Sequence, residues 1–273
     1  MAVHPTAILT GDVQLAEDVE IGPFAVIRGP VSIGKGTVVE ERATIQGPTE
    51  IGCHNRICCG AVVGGDPQDR SYRGQRTYLK MGDHNVIREY ATIHRGSRED
   101  SYTIVGDRNL LMGLCHVAHD CRIHNEVIIA NGSLVAGHVE IFDKAIISGQ
   151  VAVHQFVRIG KLGMAGGLSR IAGDIPPFMI ALGESTIIGP NSVGMRRAGY
   201  SAEARLAVRR AFRLMYRSAH TIAGALELMA ATPETPEVAE IAAFAAGSKR
   251  GLCSHHRFLV QGKVRSAASE DKR

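Results

Sequence analysis

The sequence predicts an all-β parallel β-helix that gives way to a small C-terminal α-helical domain. Three observations predict it: an aliphatic residue at every sixth position, many glycines with very few aromatic rings, and a change of hydrophobic period near Ser201. The aliphatic positions run through Leu9, Leu15, Ile21, Ile27, Ile33, Val39, Ile45, Ile51, Ile57 and Val63. The same phase returns at Met81, Ile87 and Ile93, and again from Val105 through Leu111, Val117, Ile123, Ile129, Val135, Ile141, Ile147, Val153, Ile159 and Ala165 to Ile171. Chance does not hold one register over such a length. A core without tryptophan and with 5% aromatics must be built from Val, Ile, Leu and Ala in short, similar elements, and 31 glycines imply frequent tight corners.

These are hexapeptide repeats. One aliphatic side chain points into a narrow prism and the chain turns a corner every sixth residue, so three repeats make one triangular coil. No coil buries its own apolar side, and stacking on neighbours completes the core. Roughly nine coils fit between Leu9 and Ile171 at most. Spacing does not set the hand; the left-handed winding expected here is what known hexapeptide-repeat proteins show.

Two gaps keep the phase but lose the aliphatics, at 64–80 (around Asp66-Pro67-Gln68-Asp69-Arg70-Ser71-Tyr72) and at 96–102. Both read as loops extruded from corners, either for binding or for packing against a neighbouring subunit. Asp174-Ile175-Pro176-Pro177 is expected to end the last coil, since proline cannot continue a ladder. The β-helix is assigned residues 1–190 and the helical domain 191–273. Residues 178–200 are transitional. Ser201 is a candidate N-cap, with Val208, Phe212 and Met215 at helical spacing after it. A second helix is expected over Thr221–Ala230. Thr232-Pro233-Glu234-Thr235-Pro236 breaks it, and a third follows over Pro236–Ala246. These helices are placed to cap the open end of the prism, and the tail after Arg265 is expected to be loose.

Composition excludes several function classes. A net charge of +4 without a long basic run or interleaved aromatics argues against nucleic acid. Met1–Thr10 does not read as a signal peptide and no apolar run is long enough to span a membrane, which predicts a cytoplasmic protein. The six cysteines form neither a disulfide framework nor a CxxC zinc site.

The histidines carry the chemistry. With eighteen residues per coil, Asp120 and His138 occupy equivalent positions one coil apart, while His119 sits over Gly137 and Gly137 over Gln155. His116, His119, Asp120, His138, His154 and Gln155 therefore gather at one edge of three adjacent coils. A histidine beside a carboxylate suits a general base, because the carboxylate fixes the tautomer and stabilises the charged ring. The same cluster could hold zinc in the manner of carbonic anhydrases, or be a polar surface of a non-enzymatic scaffold. Arg196, Arg197, Arg205, Arg209, Arg210, Arg213 and Arg217 give the helices a positive face, for an acidic carrier protein or for solvent.

Cys115-His116-Val117-Ala118-His119-Asp120-Cys121 is a recognisable motif. It is accompanied by Ile93-His94-Arg95-Gly96, Ala136-Gly137-His138-Val139, Ala152-Val153-His154-Gln155-Phe156, Asp174-Ile175-Pro176-Pro177 and Arg196-Arg197-Ala198-Gly199-Tyr200. This ordered set spans nearly the whole chain and resembles the acyl-[acyl-carrier-protein]–UDP-N-acetylglucosamine O-acyltransferases, which open lipid A synthesis. The resemblance implies a homotrimer with active sites between subunits and no cofactor beyond the phosphopantetheine of acyl carrier protein. It implies His119 as base, Asp120 as its support and the Gly137 N–H as oxyanion donor. It places His116, His138, His154 and Gln155 on the sugar nucleotide and pantetheine, and Asp69 on the sugar. Asn191 and Arg197 fall on the nucleotide or carrier side, and Gly167 where acyl-chain length is measured. No metal is implied. Three positions depart from the family pattern: Ser71 stands where a substrate-binding lysine is common, Val193 where a glutamate is familiar, and Ala198 where an arginine follows Arg197. Either the acceptor differs, for example a 3-amino sugar that is N-acylated, or the substitutions are drift within one activity.

Overall fold

The computed structural model describes residues 2–231 and 233–255 and shows a parallel β-solenoid with three faces. Among the described residues the first face has eleven strands, the second nine and the third eight. Ile27 pairs with Ile45, and Ile45 with Val63, so the coil step is the expected eighteen residues. The step then lengthens between Val63 and Ile93 and again between Ile93 and Val117, marking two insertions. Inward aliphatics such as Ile27, Ile45, Ile87, Leu111, Ile129 and Ile147 are wholly buried, each contributing about 1.5–3 kcal/mol from burial. Leu9 and Leu15 are only half-buried, since the first coil has no coil beneath it.

The glycines do a different job from the one expected of them. The corner positions with positive φ are mostly filled by other residues, among them Arg42 (+56°), Asp120 (+60°) and His138 (+62°). Gly34 instead follows an inward aliphatic, where an added Cβ would come within 2.7 Å of the Gly52 carbonyl in the next coil. Glycine is needed there for close approach of backbones rather than for left-handed φ. At the corner between the third and first faces, buried asparagines replace aliphatics. The Oδ1 of Asn55 accepts from Asn85 N at 2.8 Å, that of Asn85 from Asn109 N at 2.9 Å, and that of Asn109 from Val127 N at 2.8 Å. This ladder satisfies corner amides that would otherwise be orphaned in the core.

The first insertion is shorter than the sequence suggested, and the second keeps its length but starts one residue earlier. Val62–Gly65 and Tyr78–Met81 are strands, leaving 66–77 as the first insertion, and Tyr102–Val105 is a strand, leaving 95–101 as the second. Counting one inward aliphatic per repeat misses the ladder at the loop bases, where Leu79 is fully buried. The ladder also continues past Pro176-Pro177. Met179–Leu182 joins the first face through Met164↔Ile180 and Ala165↔Ala181, because the prolines sit at a corner where no ladder amide is required. Thr186–Pro190 folds back on it antiparallel. Four helices follow among the described residues: α1 (Ser192–Arg197), α2 (Ala202–Arg217), α3 (Ile222–Ala231) and α4 (Pro236–Ala246). Ser201 caps α2, its Oγ accepting from Ala204 N at 3.0 Å. The six-residue α1 was hidden in the transitional stretch. The expectation for the tail after Arg265 falls outside the described residues.

The helices are tied to the end of the solenoid. The Arg158 guanidinium lies 4.1 Å from the Phe244 ring centroid and donates to the Phe244 carbonyl at 3.2 Å. Asp174 is fully buried; its Oδ1 accepts from Arg158 N at 2.8 Å and its Oδ2 from Ser248 Oγ at 2.7 Å. Its backbone pairs with the returning segment through Asp174 N to Gly251 O and Cys253 N to Asp174 O, each 2.8 Å. Asp174→Ala leaves two half-buried donors unmatched and is expected to lower stability by about 1–3 kcal/mol in urea unfolding, whereas a change under a few tenths would show the junction to be non-essential.

Candidate active site

Both insertions and the histidine cluster leave the prism at one corner, between the second and third faces. The chain crosses this corner at 66–77, at 95–101, between His116–Val117 and Arg122–Ile123, and between Leu134–Val135 and Glu140–Ile141. Periodicity fixed the stacking and the insertions supplied what periodicity lacks. The first delivers Asp69 and the second delivers Ser97 and Ser101.

His119 is 5% exposed and its Nδ1 lies 2.8 Å from Asp120 Oδ2. Burial pushes the Asp120 carboxyl up, but hydrogen bonds from His119, Ser101 and Ser97 outweigh it and hold the group well below the usual carboxylate range. Ser97 supplies its N–H at 3.1 Å and its Oγ at 2.7 Å to Oδ2, while Asp120 N donates to Thr103 Oγ1 at 2.8 Å. Asp120 is thus an ionised, fixed acceptor that orients the imidazole with Nδ1–H toward it and Nε2 free for a proton. Across the ring, Asp69 Oδ2 stands 3.8 Å from Nε2, a separation that leaves room for a bridging hydroxyl. Asp69 is itself held by Ser71, whose N and Oγ each donate to Oδ1 at 2.8 Å and keep the carboxyl below its ordinary range.

Gly137 lies directly over His119: an added Cβ would fall 2.5 Å from the ring Cε1 and 2.7 Å from Nε2. Among the described residues no acceptor engages the Gly137 N–H. His138 meets His119 edge-on at 5.2 Å, and its Nε2 is 3.7 Å from Asp120 Oδ2. His119, Asp120 and His138 could together approach a metal ion, but Asp120 Oδ2 is already shared between His119 Nδ1 and Ser97 Oγ, the pattern of a hydrogen-bonded dyad. His154 and Gln155 lie exposed farther along the same edge.

Other partners were not legible in sequence. His116 Nδ1 bonds Thr92 Oγ1 at 2.7 Å and packs edge-on to His94 at 4.7 Å. Arg95 is buried and pins the base of the first insertion through Gly64 O, Asp66 and, at 3.4 Å, the Tyr72 hydroxyl. Their only signal in the chain is the His94-Arg95 pair, which joins this site because an insertion resets the register. Burial drives the His94 imidazole down to about 4 and lowers those of His116 and His138. The folded state therefore resists protonation while the unfolded chain takes protons near 6.5, so stability is full above about 6.5 and falls as pH drops through about 4. Urea midpoints at pH 7 and 4.5 should show this loss, and His94→Gln should reduce it; an unchanged slope would contradict the burial account.

Three expected site residues lie elsewhere in the chain. Asn191 is buried as the cap of α1, accepting from Gly194 N at 2.9 Å and donating to Leu162 O at 2.9 Å. Arg197 is exposed at the end of α1. Gly167 stands at the corner between the first and second faces, where an added Cβ would make an ordinary 3.5 Å contact with Gly149 O. Nothing within one chain brings these three to His119.

Known proteins resemble this chain in both sequence and fold. A family model described as "Udp N-acetylglucosamine O-acyltransferase; Domain 2" matches residues 174–253, and one described as bacterial transferase hexapeptide (six repeats) matches 12–47 and 102–137. An acyl-[acyl-carrier-protein]–UDP-N-acetylglucosamine O-acyltransferase of Synechocystis sp. is 52% identical over 177 residues, a match that spans 64% of this chain and 64% of that protein. The enzyme of the same name from Verminephrobacter eiseniae is 44% identical over 257 residues, covering 92% of this chain and 98% of that one. Among solved structures, the Francisella novicida UDP-N-acetylglucosamine acyltransferase superposes with a TM-score of 0.90 at 32% identity, covering 98% of this chain and all of that one. A dyad held at the coil corner and identity sustained over nearly the whole length lead to one assignment: the chain belongs to the acyl-[acyl-carrier-protein]–UDP-N-acetylglucosamine O-acyltransferase family.

Proposed function

We propose that this chain transfers a 3-hydroxyacyl group from acyl carrier protein to the 3-hydroxyl of UDP-N-acetylglucosamine, the first step of lipid A biosynthesis. The observation that carries the reading is the His119–Asp120 pair, with Nε2 aimed at the space below Asp69. His119 Nε2 takes the proton from the sugar hydroxyl as that oxygen attacks the thioester carbonyl carbon. The Gly137 N–H donates to the developing oxyanion, Asp120 stabilises the imidazolium, and collapse expels the pantetheine thiol, protonated from His119. No cofactor is needed beyond the phosphopantetheine carried by the donor. Asp69 anchors the acceptor, with Ser71 holding it; His116, His138, His154 and Gln155 line the approach of sugar nucleotide and pantetheine.

The working form is a homotrimer of left-handed β-helices in the cytoplasm, with each site in a cleft between subunits. Leu114, Leu134 and Leu168 support this, being 65%, 53% and 78% exposed along one side of the solenoid, where an unpartnered apolar stripe would be costly. A second copy packed there would also let Asn191, Arg197 and Gly167 of one subunit serve His119 of the next. No helix among the described residues is long and apolar enough to cross a membrane.

The test is transfer from defined 3-hydroxyacyl carrier proteins to UDP-N-acetylglucosamine, with the 3-amino analogue in parallel. Acylation of the hydroxyl sugar supports the reading. Acylation of the amino sugar alone would keep the dyad and change the acceptor, with Ser71 as the first position to revisit. Transfer to neither sugar would overturn it.

A further inference from the structure

The two insertions are tied to one another as well as to the solenoid. Gly96 N donates to Tyr78 O at 3.1 Å, and Asp100 N donates to Arg76 O at 2.8 Å. The second insertion also closes on itself, Ser101 N donating to Arg98 O at 2.9 Å and Arg98 N to Ser101 Oγ at 3.0 Å. A side-chain bridge joins this frame to the dyad. Gln75 accepts from Arg73 N of its own loop at 2.7 Å and donates through Nε2 to Ser97 O at 2.6 Å. Ser97 is 1% exposed, and its N–H and hydroxyl both end on the Asp120 carboxylate. The contacts close a ring. It runs from Asp69 along the first insertion to Gln75, across to Ser97, on to Asp120 and His119 Nδ1, and from Nε2 back over 3.8 Å to Asp69.

We propose that Ser97 is a positioning residue for the His119–Asp120 dyad and that Gln75 latches it to the loop carrying Asp69, so that the seating of that loop sets the geometry of the base. The inference rests on the acyl-transfer reading above for what the dyad accomplishes. Its physical reason lies at one oxygen. Asp120 Oδ2 meets His119 Nδ1 at 2.8 Å and Ser97 Oγ at 2.7 Å, with His138 Nε2 3.7 Å from the same atom. Two donors on one oxygen fix a carboxylate whose own torsion is soft. Released from Ser97, the carboxylate is free to turn toward His138. The imidazole of His119 then loses the partner that selects its Nδ1–H tautomer. A ring with its proton on Nε2 cannot take one from the acceptor hydroxyl. Gly96 and Asp100 keep the second insertion in place by their backbone bonds, so the Gln75 amide governs where Ser97 stands rather than whether the loop forms.

The experiment uses the full chain and two readouts. Ring-nitrogen chemical shifts of protein labelled at its histidine nitrogens, with the His119 signals identified by their loss in His119→Ala, give the tautomer without turnover. Steady-state acylation of UDP-N-acetylglucosamine gives kcat and KM. Ser97→Ala is expected to turn the Nδ1–H form of His119 into a mixture. It should lower kcat about thirtyfold, the middle of the range for a hydrogen bond to a charged group, with acceptor KM changed less than about threefold. Gln75→Met keeps the length and removes the donor. It should mix the tautomers in part and lower kcat about fivefold, an ordinary hydrogen bond's share, yet lower it no further once Ser97 is alanine. An unchanged tautomer in Ser97→Ala, or a loss confined to KM, overturns the positioning role. Losses that multiply in the double variant overturn the latch. If the wild-type chain transfers no acyl group, the proposed activity fails and the tautomer comparison still decides this inference.

Discussion

Replacing His119 with alanine is expected to lower kcat by about a thousandfold, the middle of the range for a positioned general base, with KM for both substrates changed only a few-fold. The asymmetry follows from the geometry. On the proposed mechanism His119 exchanges its proton during attack, whereas Asp69 and His116 hold the acceptor before it. Asp120→Asn should share the kcat effect, because an amide can offer its NH₂ to Nδ1 and favour the tautomer in which Nε2 is already protonated. The folded state should survive either change, since the ring lies at a corner rather than inside the prism, and thermal unfolding of the variants checks this. His119→Ala retaining more than a tenth of wild-type kcat would remove it as the base. His138 would then be the residue to examine, because its Nε2 lies 3.7 Å from the same Asp120 oxygen.

Gly137→Ala is expected to cost on the order of a hundredfold in kcat, through displacement of a neighbour rather than loss of a donor. Alanine keeps the backbone N–H. Its methyl would stand 2.5 Å from His119 Cε1, closer than carbon atoms tolerate, so the imidazole must tilt away from Asp120. A misplacement of about an ångström at a reacting group is worth that much in rate. The substitution thus separates the two roles of Gly137. Full activity in Gly137→Ala would mean that the ring can move without penalty and that its seat over the glycine is incidental. A large loss with unchanged unfolding would show that the glycine exists to admit the histidine.

The six-residue period determined most of the solenoid by itself, because a coil with one inward side chain per face has no freedom to pack otherwise. It also placed His119 over Gly137 and Asp120 one coil from His138, since stacking at a fixed step is arithmetic. The helices from Ser201 onward were legible from a cap and a change of period.

What the sequence did not contain is anything that depends on where an insertion leads. Ser97, Ser101 and Asp69 have no periodic relation to His119, and they reach it because both insertions leave the same corner. Arg95 stands in the sequence only as part of the Ile93-His94-Arg95-Gly96 motif, and its burial against Gly64 and Asp66 is what shows it holding the loop that carries Asp69. The asparagine ladder was invisible because Asn55, Asn85 and Asn109 stand two residues before the periodic Ile57, Ile87 and Leu111, at positions about which the aliphatic period says nothing. Asn191, Arg197 and Gly167 mark the remaining boundary. Repetition along one chain sets the distance between coils on an edge, and residues on different corners of one narrow prism meet only when another surface is laid against them.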